Sequence, residues 1–180
     1  MAARPSGRPP ARSSGRIPIA RPSARPPAPP TVVAINDDTD ILRARYAVRQ
    51  HAERLRFESR HIIELLIVVS ELSTNILKYG VRGKITVDEV NDAKPERGLR
   101  IVASDIGPPF HDLALALQDG FGDRGPLDPD RPYPRQGIGA GLGAVVRFTD
   151  TFECRQYEAS KDIIVVRYRR PEKRVRGKTI

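Results

Sequence analysis

The stretch SRHIIELLIVVSELSTNILKYG, residues 59–80, predicts a buried helix that carries a polar stripe. Its apolar residues surround the helix nearly completely, which is typical of a helix in the core of a domain. Gly80 stands where helices commonly end in a C′ glycine. Glu71, Asn75 and Lys78 are spaced by four and three residues, so they share one face. A buried helix with such a stripe faces something polar.

The segments on either side of this helix predict an α+β domain. Residues 31–36 form a short β-branched run that ends in an Asn-Asp-Asp turn, and this turn can cap a helix over 41–55. Further strands are expected at 84–90, 99–104, 150–157 and 162–169, with short helices at 110–117 and 142–148. This order predicts a two-layer sandwich with the helices on one face of a mostly antiparallel, mixed sheet.

The charge of the chain is concentrated at its two ends. The net charge is +9, but residues 1–30 carry six arginines and no acid, and residues 169–180 have a net charge of +5. The remaining residues have a net charge of −2. We therefore expect a disordered Arg/Pro-rich tail at 1–30, one domain at 31–168 and a basic tail at 169–180. Nucleic acid is not expected as a partner of the domain, because only the tails are basic.

Membrane and secretory features are not evident in the sequence. It contains neither an apolar run of 18 or more residues nor the apolar core of a secretory signal. The single cysteine, Cys154, permits no internal disulfide and favours a reducing compartment. A cytoplasmic protein with no membrane partner is the expectation.

A glycine-rich stretch, RQGIGAGLGAVV at 135–146, predicts an anion site. Alternate glycines allow backbone N–H groups to approach an anion closely, and a helix that begins directly afterwards adds its N-terminal amides. Phosphate is the predicted ligand. The spacing partly fits a dinucleotide fingerprint, but a proline-rich loop precedes it where a strand is required. A P-loop is excluded because no Gly-Lys-Ser/Thr follows, and a flexible glycine linker remains the alternative for this stretch alone.

Three motifs taken together carry a family resemblance: SELSTN at 70–75, DIGPP at 105–109 and GIGAGLG at 137–143. In order and separation they resemble the N box and the two glycine boxes of the GHKL superfamily of ATPases and kinases. SELSTNILKYG, LALQDGF and RFTDTFE are further similar to the RsbT-type serine/threonine kinases of bacterial sigma-factor control, with the RsbW and SpoIIAB anti-sigma kinases as cousins. The resemblance covers about residues 35–168 and implies a Bergerat-type fold.

The resemblance also implies roles for individual residues. It makes Asn75 the ligand of Mg²⁺ and Glu71 the general base toward an attacking hydroxyl group. It makes Asp105 the acceptor for the adenine amino group of ATP, with Gly107 allowing the base to approach. The residues that it places at the phosphates are Gly137, Gly139, Gly141, Leu142 and Gly143.

The function implied is an ATP-dependent serine/threonine kinase that phosphorylates a small STAS-like antagonist domain, with a sigma factor or a regulatory phosphatase as further partners. Two departures from the family pattern keep an alternative open. Pro109 stands where the last glycine of its box is expected, and the lid at 118–136 is long and rich in proline. The alternative is a non-catalytic anti-sigma or phosphatase-activating switch protein that retains nucleotide. Nucleic-acid binding through the tails is a third, minor alternative.

Overall fold

The computed structural model describes residues 26–90, 97–107, 109–110, 113–117, 121–122, 125–126 and 141–170. The elements are β1 (Thr31–Ile35), α1 (Asp38–Arg54), α2 (Ser59–Tyr79), β2 (Val81–Val90), β3 (Gly98–Ile106), α3 (Leu113–Ala116), β4 (Phe121–Gly122), β5 (Gly125–Pro126), α4 (Gly141–Arg147), β6 (Thr151–Gln156) and β7 (Ser160–Tyr168). The predicted tails lie largely outside these residues. No helix within the described ranges is both long and apolar enough to cross a membrane.

Five strands form one sheet in the order β1-β2-β3-β7-β6. Each of the four pairings is antiparallel. The predicted α+β sandwich is confirmed. A mixed sheet was expected, but the described strands of this sheet include no parallel pair. β1–β2, β2–β3 and β6–β7 join strands that are neighbours in the chain. The central β3–β7 pair brings together the N-terminal and C-terminal halves of the domain.

The core lies between one face of this sheet and the helices α1, α2 and α4. Because side chains alternate along a strand, every second residue of the inner strands points toward the helices. The buried sheet residues of this layer are Ile85, Val87, Leu99, Ile101, Ala103, Ile163 and Val165. Leu65 and Leu72 of α2 are fully buried against them. The nearly all-round apolar character of α2 thus reflects its position between the sheet and the other helices.

Helix α1 begins earlier than its apolar periodicity indicates. Asp37 is the N-cap, and its carboxylate accepts hydrogen bonds from the backbone N–H groups of Thr39 and Asp40. Asp40 in turn accepts from the backbone N–H of Asn36 at 2.9 Å, and this hydrogen bond holds the pKa of Asp40 below its ordinary value. The Asn-Asp-Asp turn is therefore the cap, as predicted. The apolar periodicity did not indicate the start at Asp38, because the first turn of the helix is polar.

Helix α2 has the predicted bounds, but the reason for Gly80 differs from the prediction. Its φ of −103° is an ordinary value, so Gly80 is not a left-handed C′ residue. A Cβ at this position would lie 2.7 Å from the Cβ of Asp105. Glycine is needed here because β3 passes too close for any side chain. A positive φ of 51° at Arg82 and a shift of register follow at the start of β2.

Two other segments differ from expectation in length. Helix α3 spans Leu113–Ala116 in place of the predicted 110–117. The predicted lid contains a two-stranded hairpin, β4–β5, that sequence patterns did not indicate. Its strands have two residues each, which is too short for an alternating pattern to be visible.

Candidate functional site

The middle of α2 carries the predicted acid and amide on one side of the helix. Glu71 is buried, with 5% of its surface exposed, whereas Asn75, one turn later, is half-buried. Within the described ranges four buried side-chain atoms have no hydrogen-bond partner, and the Oε1 of Glu71 is the one carboxylate oxygen among them. Burying a carboxylate without partners is costly. This oxygen can accept a hydrogen bond that none of the described residues supplies.

Asp105 lies inside β3, where the sequence predicted a loop, and its side chain is on the helix-facing side of the sheet. It pairs directly across the sheet with Lys161 of β7. The ammonium Nζ of Lys161 donates to Oδ1 of Asp105 at 2.7 Å, and 6% of each side chain is exposed. The same ammonium lies 5.5 Å from the centre of the Phe110 ring, within the range of a cation–π interaction.

Gly107 lies beside this ion pair at a point where no side chain fits. A Cβ at Gly107 would be 2.8 Å from the backbone oxygen of Tyr79, 3.0 Å from Oδ1 of Asp105 and 3.3 Å from Nζ of Lys161. Its backbone N–H donates to the carbonyl of Ala159 at 3.2 Å. Gly107 thus packs directly against the ion pair and the end of α2, and this close approach is the reason for glycine here.

The glycine-rich stretch leads into α4. Gly141 is the first residue of this helix and has a φ of 60°, a left-handed value that strains other residues. The side chain of Leu142 is 4% exposed and belongs to the hydrophobic core, so only its backbone can contact a ligand. Gly143 is half-buried in the first turn of α4. Gly137 and Gly139 lie outside the described residues.

The C-terminal end of α2 connects these groups. Tyr79, its last residue, provides the carbonyl beside Gly107, and Gly80 packs against Asp105. Eight residues separate Glu71 from Tyr79, which corresponds to about 12 Å along the helix. Glu71 and Asn75 therefore lie on α2 itself, and Asp105 and Gly107 of the neighbouring strand segment lie against its C-terminal end.

Two hollows of the described surface lie away from these residues. One, of about 430 Å³, is beside His51 and Arg54 of α1. The other, of about 500 Å³, is on the outer face of the sheet near Val102 and Ile164. Neither is lined by the residues of the three motifs. We place the candidate site along α2, because Glu71 and Asn75 lie on this helix and Asp105 and Gly107 lie at its C-terminal end.

Comparison with known proteins identifies the family of the chain. The sequence profile of the histidine kinase-like ATPase domain matches residues 35–168. The chain belongs to this family. Serine/threonine-protein kinase RsbT of Bacillus subtilis (strain 168) is 34% identical over 120 residues, which are 67% of this chain and 81% of RsbT.

The fold of the histidine kinase-like ATPase domain is also present in a solved structure. The RsbU and RsbW domains of a Mycobacterium tuberculosis protein superpose with a TM-score of 0.50 and 14% identity over 80% of this chain. This chain spans about a third of that structure, 34% of its length, so the match is evidence for the fold alone. The predicted GHKL fold and the predicted kinship with RsbT-type kinases are confirmed.

Membership of the histidine kinase-like ATPase family makes this chain a kinase-like ATPase and implies that it binds ATP. The residue that sequence patterns missed is Lys161. The strand was predicted to begin at residue 162, which left Lys161 in a polar turn. Its signal was the alternation of Lys161, Ile163, Val165 and Arg167, which places all four on the same, helix-facing side of β7.

Proposed function

We propose that this chain is an ATP-dependent serine/threonine protein kinase that phosphorylates a small STAS-like antagonist domain in a bacterial partner-switching pathway. The observation that carries the proposal is Glu71, a buried carboxylate with an unpartnered oxygen on the helix whose C-terminal end packs against Asp105 and Gly107. A carboxylate in such a position can take the proton of an attacking serine or threonine hydroxyl. The relative RsbT, a serine/threonine-protein kinase by name, supports the same assignment.

The adenine of ATP is proposed to bind beside Asp105 and Gly107. Asp105 offers a carboxylate oxygen to the 6-amino group, and Gly107 allows the base to lie against the backbone. The adenine end of the site is thus formed where α2, β3 and β7 meet. A nucleotide bound there is oriented by β-strand residues that are held in place by the core.

The phosphate end is proposed to lie between the middle of α2 and the glycine-rich stretch. ATP supplies the phosphoryl group, and Mg²⁺ supplies charge neutralisation, when they are bound. Asn75 would hold the metal through its side-chain oxygen, a neutral hard ligand that suits an ion coordinated mainly by phosphates and water. The residues proposed to hold the phosphates through their backbone are Gly137, Gly139, Gly141, Leu142 and Gly143. Glu71 would remove the hydroxyl proton as the new P–O bond forms and the bond between the γ-phosphorus and the β–γ bridging oxygen breaks, with ADP as the leaving group.

The partners follow from the proposed pathway. The substrate is a STAS-like antagonist domain, and a sigma factor or a regulatory phosphatase is the further partner. We also propose a cytoplasmic location, where ATP is available and where a protein with a single cysteine remains reduced. In β6, burial raises the pKa of the Cys154 thiol, so that the thiol stays protonated and inert.

Replacing Glu71 by glutamine tests the assignment of the general base. The change keeps the shape and removes the charge, so ATP binding should persist while phosphate transfer slows by about 10²- to 10⁴-fold. Transfer is measured with radiolabelled ATP and a panel of purified STAS-like domains. Glu64→Gln is the matched control, because Glu64 lies on the same helix but is paired with Arg60 and Arg167. Full transfer by Glu71→Gln, or no transfer by the wild type to any domain that it binds, would contradict the kinase assignment.

Replacing Asn75 by alanine tests the metal site. We expect the wild type to bind ATP more tightly in Mg²⁺ than in EDTA, and Asn75→Ala to lose this difference. Titration calorimetry on the full chain measures both affinities. Equal binding of ATP by the wild type in Mg²⁺ and in EDTA would rule out the proposed metal ligand.

A non-catalytic switch protein that retains nucleotide is the second candidate. It is favoured by Pro109, an exposed residue two positions after Gly107 that has no N–H group to offer a nucleotide. The transfer assay separates the two functions. A switch protein would bind ATP and its partner without transferring phosphate.

A further inference from the structure

The two basic tails, residues 1–30 and 169–180, join the domain at the same end of the sheet. β1 begins at Thr31, which pairs with Val87 near the end of β2. β7 ends at Tyr168, which pairs with Gly98 at the start of β3, and Gly98 also pairs with Val90, the last residue of β2. Because β2 and β3 separate β1 from β7, the two strand ends are about 14 Å apart across the sheet, three strand spacings. The fold therefore brings together two charged segments from opposite ends of the sequence.

Contacts of the described tail residues hold both tails at this end. The carbonyl of Pro26 accepts a hydrogen bond from the guanidinium of Arg54, the last residue of α1, at 2.6 Å. The backbone N–H of Arg169 donates to the carbonyl of Arg97, which directly precedes β3, at 2.8 Å. The points from which the tails continue are thus fixed by the domain.

The charge that the tails bring to this end is strongly positive. Residues 1–30 carry six arginines and no acid, and residues 169–180 have a net charge of +5, so the two tails contribute +11. The rest of the chain has a net charge of −2. Like charges that are brought together repel one another, and a bound polyanion relieves this repulsion. The end of the domain that carries the tails is therefore suited to bind a polyanion.

We propose that the two tails together bind the phosphate backbone of a nucleic-acid duplex, independently of its sequence. All six cations of the first tail are arginines, whose planar guanidinium groups bind phosphate oxygens in a bidentate manner. A duplex carries one charge per about 1.7 Å of its axis, so the distance between the two strand ends corresponds to about eight phosphates of one duplex. An anionic bilayer is a less suitable partner, because the tails contain no Leu, Phe, Tyr or Trp to insert into it.

The proposed surface lies away from the candidate site on α2. Asp105 is seven residues after Gly98 in β3, a distance of about 23 Å along the strand. The C-terminal end of α2 packs against Asp105, at the end of the sheet opposite to the tails. A duplex bound by the tails therefore leaves the candidate site open. This inference goes beyond the proposed function and does not depend on it, because a chain that transfers no phosphate would still bind the duplex.

Fluorescence anisotropy with a labelled DNA duplex of about 24 base pairs measures this binding on the full chain. At about 150 mM salt we expect a Kd of about 1–100 μM, the range of binding that reads no sequence. Each phosphate contact contributes about −0.9 to the slope of log K against log salt concentration, so the slope should be about −5 or steeper. A second duplex of unrelated sequence should bind with the same Kd.

Three variants assign the binding to the tails. Each replaces three basic residues by glutamine, in the first tail, in the second tail, or at exposed positions of the domain as a matched control. Either tail variant should make the slope shallower by about 2–3 and weaken binding at about 150 mM salt by about 10- to 100-fold, whereas the control should change the slope by less than about 1. The substitutions are Arg16→Gln, Arg21→Gln and Arg25→Gln in the first tail, Lys173→Gln, Arg174→Gln and Arg176→Gln in the second, and Arg43→Gln, Lys84→Gln and Arg155→Gln in the control.

The inference is overturned if the wild type binds the duplex with a Kd above about 1 mM at about 150 mM salt. It is also overturned if either tail variant binds as the wild type does, or if the control variant loses as much affinity as the tail variants. Tighter binding to vesicles of phosphatidylserine and phosphatidylcholine than to the duplex would assign the tails to a membrane surface instead. Equal binding to polyglutamate would show attraction to any polyanion and would likewise contradict recognition of phosphate. The Glu71→Gln experiment tests phosphate transfer separately, so failure of one proposal is distinguishable from failure of the other.

Discussion

Replacing Lys161 by methionine should destabilise the domain by about 3–5 kcal/mol, because it leaves Asp105 as an unpaired charge in a buried position. The side chains of both residues are 6% exposed, and Nζ and Oδ1 are 2.7 Å apart. Water therefore cannot replace the lost partner without a change in the packing around Gly107. The estimate applies to the free protein and does not depend on a nucleotide.

Urea unfolding at 25 °C, followed by circular dichroism, measures this loss. With an m-value of about 2 kcal/mol per molar urea, a loss of 3–5 kcal/mol lowers the midpoint by about 1.5–2.5 M. The double variant Asp105→Asn, Lys161→Met should recover at least half of the loss, because no unpaired charge remains in the core. Comparison of the single and the double variant separates the cost of burying an unpaired charge from the cost of lost side-chain packing.

A second ion pair on the neighbouring strand β6 is the matched control. Nε of Arg155 and Oε1 of Glu153 are also 2.7 Å apart, but about half of each side chain is exposed, 53% and 54%. Removal of this pair by Arg155→Met should leave the urea midpoint unchanged within error, because water solvates the remaining carboxylate. The reasoning is refuted if Lys161→Met costs less than about 1 kcal/mol, or if the double variant is no more stable than the single one.

Three further predictions concern the helix cap and the start of β2. Asp37→Ala should cost about 1 kcal/mol in thermal unfolding, whereas Asp37→Asn keeps the capping oxygen and should cost clearly less; equal losses would contradict the cap. Gly83→Ala should destabilise by about 1–3 kcal/mol, because its Cβ would lie 2.1 Å from Cγ2 of Ile76; an unchanged melting temperature would show that β2 adjusts freely. The pKa of Asp40 is lowered first by the hydrogen bond from the backbone N–H of Asn36. The ionised Asp40 carboxylate therefore contributes fully to stability above about pH 4, and this contribution is lost as the pH falls through the folded-state pKa. Urea midpoints measured against pH should therefore fall less steeply below pH 4 in Asp40→Asn, and parallel curves for the two proteins would contradict this.

The elements of this fold were predictable because most of their signals are local. Helix α2 has the predicted ends, and the order of strands and helices is sufficient to indicate a two-layer α+β sandwich. The interruption of α2 by Glu64 also has a structural reason, since this carboxylate pairs with the buried Arg167 of β7. What the local pattern could not show was the partner, which lies 103 residues away in the sequence.

For the candidate site, too, local sequence signals indicated individual residues but not their partners. Motif order indicated Glu71, Asn75, Asp105 and Gly107, but the pairing of Lys161 with Asp105 depends on the register of β3 with β7. Register is a property of the whole sheet and cannot be inferred from either strand alone. The reason for glycine at position 80 could not be inferred locally either. Glycine is required there because Asp105 lies close, and not because of the backbone conformation of Gly80.

The central position of the β3–β7 pair has a consequence for synthesis of the protein. Asp105 and Lys161 are 56 residues apart in the chain, and β7 is the last strand of the sheet to leave the ribosome. A nascent chain that ends before β7 exposes the inner edge of β3 and leaves Asp105 without its partner Lys161. The buried ion pair is therefore completed by the final strand of the sheet, and a chain interrupted before β7 lacks it.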